Sequence, residues 1–373
     1  MLIKKLLIVV LLLSFFCYPV HSLQDNELSA RAAVVIDSDT NNVVFQKNMS
    51  EKLSMASTTK IMTAILAIES GKLGCRVTAK KDVICEGTSI GIEAGDSFTL
   101  ETLVWALLLE SGNDAAVLIS EYLAGTEAEF AELMNNKASE IGMKSTNFIT
   151  SSGLDDEEHY TTAYDMALLA SYSVKNPFFR KICSSQSYIA TYLSPEISVT
   201  YNNHNKLLKM YDGVFGVKTG FTKKSGRCLV SACERNGVTL VAVTLKAPDD
   251  WNDHIKLFDY CFGTYQTLNM DIKLPQYLKV YGSETKLVEL ICEDISVASS
   301  NYDKASYVVL LPQFAYAPIK KNDNIGKVII YIDDKKYKEF NLKAGSDILP
   351  TAGDAEPEYT FFDKLVNIFR KDK

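Results

Sequence analysis

Apolar residues recur along this chain with two periods, and the switch from one to the other marks its elements. Residues 32–37 and 42–46 are short β-like runs separated by Asp39-Thr40-Asn41, which carries turn chemistry, so a hairpin is predicted. Over 57–70 the period lengthens. Ile61, Ala64, Ile65 and Ile68 recur at helical spacing, and Gly71 sits just past the end. Helices are predicted likewise over 100–109, 114–123, 130–141, 163–174 and 253–262, and Glu110-Ser111-Gly112-Asn113 stops the first of these. An apolar strand over 214–218 leads into a turn at Gly220. Strands over 228–233 and 239–246 follow, joined by Glu234-Arg235-Asn236-Gly237. Strands, then helices, then strands again predict an α+β block over 23–268. In it an antiparallel sheet is flanked by helices, and the first hairpin joins the later strands. Beyond 272 only strand-like runs remain, at 277–281, 285–291, 307–311 and 327–332. They predict a small all-β domain over 272–350.

The two ends follow other patterns. Lys4 and Lys5 precede an apolar run over 6–16 broken only by Ser14, and Val20-His21-Ser22 offers small residues at the −3 and −1 positions of a cleavage site. Residues 1–22 therefore read as a secretory signal peptide, with an uncleaved anchor as the plainer alternative. Cys17 raises lipoprotein processing, but Phe16 stands where that processing wants a small residue. At the other end, 354–357 is a polar linker. Phe361, Phe362, Leu365, Val366, Ile368 and Phe369 then form a helical stripe beside Lys364, Arg370, Lys371 and Lys373. That composition predicts an amphipathic helix lying on a membrane surface, so 354–373 reads as linker and anchor; the alternative is a helix docked on the β-domain.

Charge and cysteine content narrow the chemistry. Without residues 1–22 the chain loses Lys4, Lys5 and no acid, leaving 37 basic and 46 acidic side chains and a net charge of −9. That acidity argues against nucleic acid as a partner. Seven cysteines remain, an odd number, so at least one thiol is free or pairs between molecules. Cys183, Cys228, Cys233 and Cys261 lie in apolar runs and read as buried small hydrophobes, while Cys75 and Cys85 could pair. The four histidines are scattered, which argues against a His-rich metal site and against imidazole catalysis. Neither a metal nor a cofactor is expected.

Three short motifs carry candidate chemistry. Ser57-Thr58-Thr59-Lys60 puts a hydroxyl and an ammonium at i and i+3 near a helix start, on one face. A serine hydroxyl needs a base, and lysine can be that base once burial or a neighbouring cation lowers its pKa. Average composition yields S-x-x-K about once in a chain of this length. A second copy indeed occurs at Ser283-Glu284-Thr285-Lys286, on a predicted strand where i and i+3 face opposite ways. Ser111-Gly112-Asn113 occupies a turn between helices. It offers a proton-relaying hydroxyl and a carbonyl-binding amide, or simply a helix cap. Lys218-Thr219-Gly220 ends an apolar strand. It offers a cation, a hydroxyl for a carboxylate and a glycine that admits substrate backbone.

S-x-x-K, S-x-N and K-T-G in that order are a signature of penicillin-binding proteins and class A β-lactamases. The surrounding residues narrow it: Met55-Ala56-Ser57-Thr58-Thr59-Lys60-Ile61-Met62-Thr63-Ala64, Ser111-Gly112-Asn113-Asp114-Ala115-Ala116, Gly153-Leu154-Asp155 with Tyr160-Thr161-Thr162-Ala163, and Asp212-Gly213 with Gly216-Val217-Lys218-Thr219-Gly220-Phe221-Thr222. Over about residues 30–262 the chain resembles the serine D-Ala-D-Ala carboxypeptidases, the low-molecular-weight penicillin-binding proteins of peptidase family S11. The resemblance implies the penicillin-binding/β-lactamase-like transpeptidase fold: a helical subdomain on a five-stranded antiparallel sheet, followed by a β-rich C-terminal domain. It also implies a substrate, the peptidoglycan stem peptide ending in D-Ala-D-Ala, β-lactams as inhibitors, and a place on the outer face of the bacterial cytoplasmic membrane. Carried over by motif, Ser57 is the acylated nucleophile and Lys60 its base. Ser111 relays a proton to the leaving D-Ala, and Asn113 holds the donor peptide. Lys218, Thr219 and Gly220 bind the substrate carboxylate end, and the Ser57 and Phe221 N–H groups form the oxyanion hole. Many members carry His where this chain has Phe221, a departure that bears on substrate preference and deacylation.

A class A β-lactamase would need an E-x-x-L-N loop between Ser111 and Lys218. Glu132-Leu133-Met134-Asn135 is out of register for it, and the β-domain also argues against that reading. A D,D-endopeptidase is closer and differs only in the bond cut. A penicillin-sensing or wall-binding module without activity would have no use for intact Ser57, Lys60, Ser111 and Lys218.

Overall fold

The computed structural model describes residues 23–351 apart from 265, 270–271, 293–294, 300–304 and 333. The predicted signal peptide (1–22) and the linker and stripe (354–373) lie outside the described residues. No helix among the described residues is long and apolar enough to cross a membrane. The chain divides into two compact units, one ending at Gln266 and one starting at Thr267.

The first unit is built on a five-stranded antiparallel sheet. Its strands are β1 (Ala32–Asp37), β2 (Val43–Lys47), β3 (Val214–Thr222), β4 (Gly226–Arg235) and β5 (Val238–Leu245), in the order β2-β1-β5-β4-β3. All six residues of β1 are buried, so both faces of the sheet are covered. The alternation shows with what. Cys228, Val230, Ala232, Val241, Val243 and Leu245 join the main core beneath the helices. On the opposite face, the Thr244 hydroxyl and the His254 Nε2 lie 3.0 Å apart, which places the helix Asp250–Thr264 there.

The helices on the main-core face are α1 (Lys60–Glu69), α2 (Leu100–Leu109), α3 (Asn113–Ala124), α4 (Glu127–Ile141), α5 (Ala163–Val174) and α6 (Pro177–Ser184). The side chains of Thr99, Thr126, Thr162 and Asn176 cap α2, α4, α5 and α6 by accepting backbone N–H bonds, which fixes where each starts. Helix α2 is buried along nearly its whole length, because its ten residues are apolar on every side but one. A further hairpin, Ser187–Thr191 with Ser198–Asn202, stands beside α2.

Two expectations need correction. Lys218-Thr219-Gly220 does not end a strand at a turn. Strand β3 runs on through Thr222, with Gly220 opposite Cys228 and Phe221 opposite Arg227, and the turn is Lys223-Lys224-Ser225. The Ser225 and Thr222 hydroxyls lie 2.9 Å apart and each accepts the other's backbone N–H, so the polar residues close the hairpin later than the glycine suggested. The second S-x-x-K copy does not lie on a strand either, as the second unit shows.

The second unit is all-β among its described residues. Its six-stranded sheet comprises β6 (Tyr277–Tyr281), β7 (Leu287–Ile291), β8 (Ala305–Leu310), β9 (Ala315–Tyr316), β10 (Asn324–Ile332) and β11 (Lys335–Ala344), in the order β8-β10-β11-β7-β6-β9. Two small apolar clusters fill it, one around Val328, Ile330, Phe340 and Leu342 and one around Leu278, Val280, Val288 and Ile348. Ser283 and Lys286 sit in the connection between β6 and β7. The Lys286 Nζ donates to the Ser283 backbone carbonyl at 2.6 Å, and the Ser283 Oγ accepts the Thr285 N–H at 3.2 Å.

Candidate active site

The nucleophile turn is built before its chemistry. Ala56–Thr59 is one turn of 3₁₀ helix that runs straight into α1 at Lys60. In a 3₁₀ turn residues i and i+3 eclipse, which stacks Lys60 over Ser57. Ala56 holds a left-handed φ of 48°, a costly conformation for alanine that is kept by what surrounds it. Gly153 presses on it from behind: a Cβ at that position would lie 1.9 Å from the Ala56 carbonyl oxygen. From the front comes β3, where a Cβ at Gly220 would lie 3.1 Å from both the Ser57 and Thr58 backbone nitrogens. The two glycines thus clamp the turn between a loop and the edge strand of the sheet.

Lys60 is fully buried and is surrounded by three acceptors. Its Nζ lies 2.8 Å from the Ser57 Oγ, 2.6 Å from the Asn113 Oδ1 and 2.8 Å from the Ser152 carbonyl. Burial, and secondly the Lys218 charge, hold its pKa well below the usual lysine value. Once deprotonated, the amine has two N–H bonds and one lone pair. In that form the Asn113 Oδ1 and the Ser152 carbonyl, which only accept, take the two N–H bonds, and the lone pair can turn to the Ser57 hydroxyl 2.8 Å away. That is the geometry of a general base.

Both acceptors are themselves fixed. Asn113 donates through Nδ2 to the Glu86 carbonyl. The loop bearing Glu86 is tied down by the Asp114 carboxylate, which accepts N–H bonds from Ile90, Gly91 and Ile92 and the Ser89 hydroxyl. The Ser151–Ser152 segment is held by Thr63, whose hydroxyl donates to the Ser151 carbonyl at 2.6 Å, and by Glu127, which accepts the Ser151 N–H and hydroxyl. Behind the turn, the Thr59 Oγ1 meets the His159 Nε2 at 2.8 Å, and the His159 Nδ1 accepts the Ile149 N–H. That bond leaves the proton on Nε2. Burial holds His159 down to about 4, so the ring stays neutral and works as a brace.

The cleft in front of Ser57 encloses about 410 Å³ and is lined by Ser57, Ser111, Thr219, Gly220, Phe221 and Arg227 among others. Ser111 enters it with a left-handed φ of 63° at the turn between α2 and α3. It does not cap α3; Gly112 occupies the cap, and the Asn113 side chain turns to Lys60 instead. Phe221 is 65% exposed on the cleft wall. Lys218 is buried beside these residues, donates to the Thr219 carbonyl at 3.0 Å and is held down to about 8 by burial.

Seven of the eight residues expected from the motifs thus meet at one place: Ser57, Lys60, Asn113, Ser111, Thr219, Gly220 and Phe221 are joined by direct bonds, close approach or a shared cleft. The eighth, Lys218, stands behind Thr219 and acts on Lys60 through its charge. The sequence reading missed Arg227. Its Nε and Nη2 donate to one oxygen of the buried Asp250 at 2.9 and 2.7 Å, and the residue lines the cleft. It also missed the Ser152 carbonyl, which no side-chain pattern can reveal, and the His159 brace. Arg227 had a local signal in its position, the second residue after the hairpin turn that follows K-T-G.

A family model described as D-alanyl-D-alanine carboxypeptidase matches residues 20–249. The chain belongs to the D-alanyl-D-alanine carboxypeptidase family, peptidase S11. A model of the penicillin-binding protein 5 C-terminal domain matches residues 262–349. The D-alanyl-D-alanine carboxypeptidase DacF of Bacillus subtilis is 32% identical over 335 residues, covering 86% of each chain. Among solved structures, penicillin-binding protein D2 of Listeria monocytogenes, in an ampicillin-bound form, is 27% identical with a TM-score of 0.58, covering 64% of this chain and all of that one. PBP3 of Streptococcus pneumoniae, described as a peptidoglycan synthesis regulatory factor, has a TM-score of 0.69 over 86% of this chain and 99% of that one, at 23% identity, a likeness of fold. The resemblance drawn from the motifs is therefore correct for family, for fold and for the carboxypeptidase reading.

Proposed function

We propose that the cleft at Ser57 removes the terminal D-Ala from peptidoglycan stem pentapeptides through a serine acyl-enzyme. The observation that carries this is the Lys60 amine, buried, 2.8 Å from the Ser57 Oγ and held in place by two further acceptors. The Ser57 Oγ attacks the carbonyl carbon of the D-Ala–D-Ala bond while Lys60 takes its proton. General-base help of this kind is worth about 10²–10⁴-fold. The Ser57 and Phe221 backbone N–H groups stabilise the oxyanion. The C–N bond then breaks, and Ser111 passes a proton to the departing D-Ala amine. Water cleaves the ester and returns the proton to Ser57. Thr219, with the Lys218 charge behind it, holds the substrate's terminal carboxylate, and Arg227 adds a cation at the cleft wall. Asn113 serves first by holding Lys60; contact with the donor peptide requires its bond to Glu86 or Lys60 to open.

β-Lactams enter the same cycle, with the ring carbonyl in place of the peptide carbonyl, and the ampicillin-bound Listeria relative supports this. A D,D-endopeptidase would act with the same groups, but the two cations of the cleft, Lys218 and Arg227, favour a free carboxylate at the cut end. We further propose that residues 1–22 direct export and that 354–373 hold the mature enzyme to the outer face of the membrane. The test is D-Ala release from a pentapeptide ending in D-Ala-D-Ala by the chain from residue 23 to 373. Loss of release in Ser57→Ala supports the reading. Release from a cross-linked dimer peptide at a greater rate would make the enzyme an endopeptidase.

A further inference from the structure

The second unit carries an exposed aromatic corner that the carboxypeptidase reaction does not use. Along β6, Leu278 and Val280 point into the core, so Tyr277, Lys279 and Tyr281 point out. Tyr281 stands opposite Tyr316 on the edge strand β9, and Phe314 closes the group. The ring centroids are 5.1 Å apart for Tyr281–Phe314, 5.4 Å for Phe314–Tyr316 and 6.3 Å for Tyr281–Tyr316. Tyr281, Phe314 and Tyr316 remain 52%, 40% and 68% exposed, and Leu349 is 76% exposed. Soluble surfaces scatter single apolar side chains; a cluster of touching rings marks a contact surface.

The course of the chain says what it contacts. The Thr351 N–H donates to the Gly282 carbonyl at 2.9 Å, so the described chain ends immediately beside Tyr281. Residues 352–358 separate Thr351 from Tyr359, where the apolar and basic stripe of the C-terminus begins. The eight Cα–Cα steps from Thr351 to Tyr359 span at most about 29 Å. A membrane contact made by that stripe therefore keeps the ring corner within about that distance of the lipid headgroups. Tyrosine and phenylalanine suit that layer, since an aromatic body enters the acyl boundary while a phenol oxygen stays wet.

We propose that Tyr281, Phe314, Tyr316 and Leu349 form a second lipid-contact surface that rests on the same bilayer as the C-terminal stripe. This rests on the reading of 359–373 as an interfacial anchor. The tether makes the second contact intramolecular, so a corner too weak to bind vesicles alone still adds to the avidity of the whole chain. Two contacts instead of one also fix the tilt of this unit on the membrane.

The test uses the chain from residue 23 to 373 and vesicles of phosphatidylcholine with phosphatidylglycerol. In one arm Tyr281, Phe314 and Tyr316 are all changed to Ser. Vesicle partitioning should fall about tenfold, with D-Ala release from a small soluble peptide unchanged. In a second arm the conservative Tyr316→Trp places a reporter in the corner. Its emission, measured above the wild-type background of Trp105 and Trp251, should be quenched by brominated lipids. Wild-type partitioning in the triple variant together with an unquenched reporter would overturn the proposal. The anchor reading is judged separately by Phe361→Asp with Phe362→Asp. If that chain binds vesicles as well as wild type, the anchor reading fails, and the reporter still decides the corner. If the wild-type chain forms dimers without lipid and the triple variant is monomeric, the corner is a protein interface and the lipid proposal is wrong.

Discussion

Ser57-Thr58-Thr59-Lys60 and Ser283-Glu284-Thr285-Lys286 are the same four-residue pattern in two places, and only one of them is equipped for catalysis. At the first, the lysine is fully buried and touches the serine hydroxyl. At the second, the lysine is exposed and bonds the serine's backbone carbonyl, while the hydroxyl caps the turn. Spacing therefore does not make the base. Burial lowers the lysine's pKa, two fixed acceptors aim its lone pair, and a second lysine nearby adds to the lowering. The exposed copy has none of these, and an exposed ammonium takes the nearest carbonyl.

The largest effect expected is at the nucleophile. Ser57→Ala should leave no measurable D-Ala release, whereas Ser283→Ala should release D-Ala at the wild-type rate; a peptide assay separates them at once. Lys60→Ala should slow acylation by about 10²–10⁴-fold, and Lys286→Ala should not change it. If both lysine variants acylated at similar rates, the contrast in burial would have no catalytic meaning.

Next comes carboxylate recognition. Lys218 is held down to about 8, so its cation is present below that pH and lost as the pH rises through it. kcat/KM for a substrate with a free terminal carboxylate should fall through about pH 8, and a C-terminally amidated substrate should lack that fall. Arg227→Gln should weaken the free-acid substrate by about 10-fold, in the range of a lost charged hydrogen bond, and spare the amide. Equal losses on both substrates would assign Arg227 to folding alone.

The smallest effect concerns the brace. His159 is held neutral at about 4 in the fold and takes a proton near 6.5 when unfolded. The unfolded chain therefore binds more protons between those values. The stability this contributes is complete above pH 6.5 and is lost as the pH falls towards 4, by up to about 3 kcal/mol. His159→Gln should flatten that acid limb in denaturant titrations. A limb of unchanged slope would place the proton uptake elsewhere.

Much of this was legible because local pattern and tertiary environment agree. Helices Leu100–Leu109 and Ala163–Val174 begin and end where their apolar runs do, because threonine caps mark their starts. The three motifs sit on the nucleophile turn, the α2–α3 turn and the sheet edge, so their order along the chain shows the cleft. What stayed hidden depends on long-range contact. Strand β11 begins Lys335-Lys336-Tyr337-Lys338, too charged to read as a strand, yet Tyr337, Phe340, Leu342 and Ala344 are its buried side. The hairpin Ser187–Thr191 with Ser198–Asn202 buries one residue in each strand, which leaves almost no alternation to detect. Gly220 reads as a turn residue in the sequence, yet it stays inside its strand, because the missing side chain there admits the nucleophile turn. The Arg227–Asp250 pair and the Ser152 carbonyl exist only once the sheet and loops have closed.

The central claim is that burial and orientation, not the motif, make Ser57 the single acylated residue. Peptide mapping by mass spectrometry after incubation of the chain from residue 23 to 373 with benzylpenicillin tests it most directly. The account predicts one adduct, on the peptide containing Ser57, and none in Ser57→Ala. An adduct on the peptide containing Ser283, or one that persists in Ser57→Ala, would contradict it.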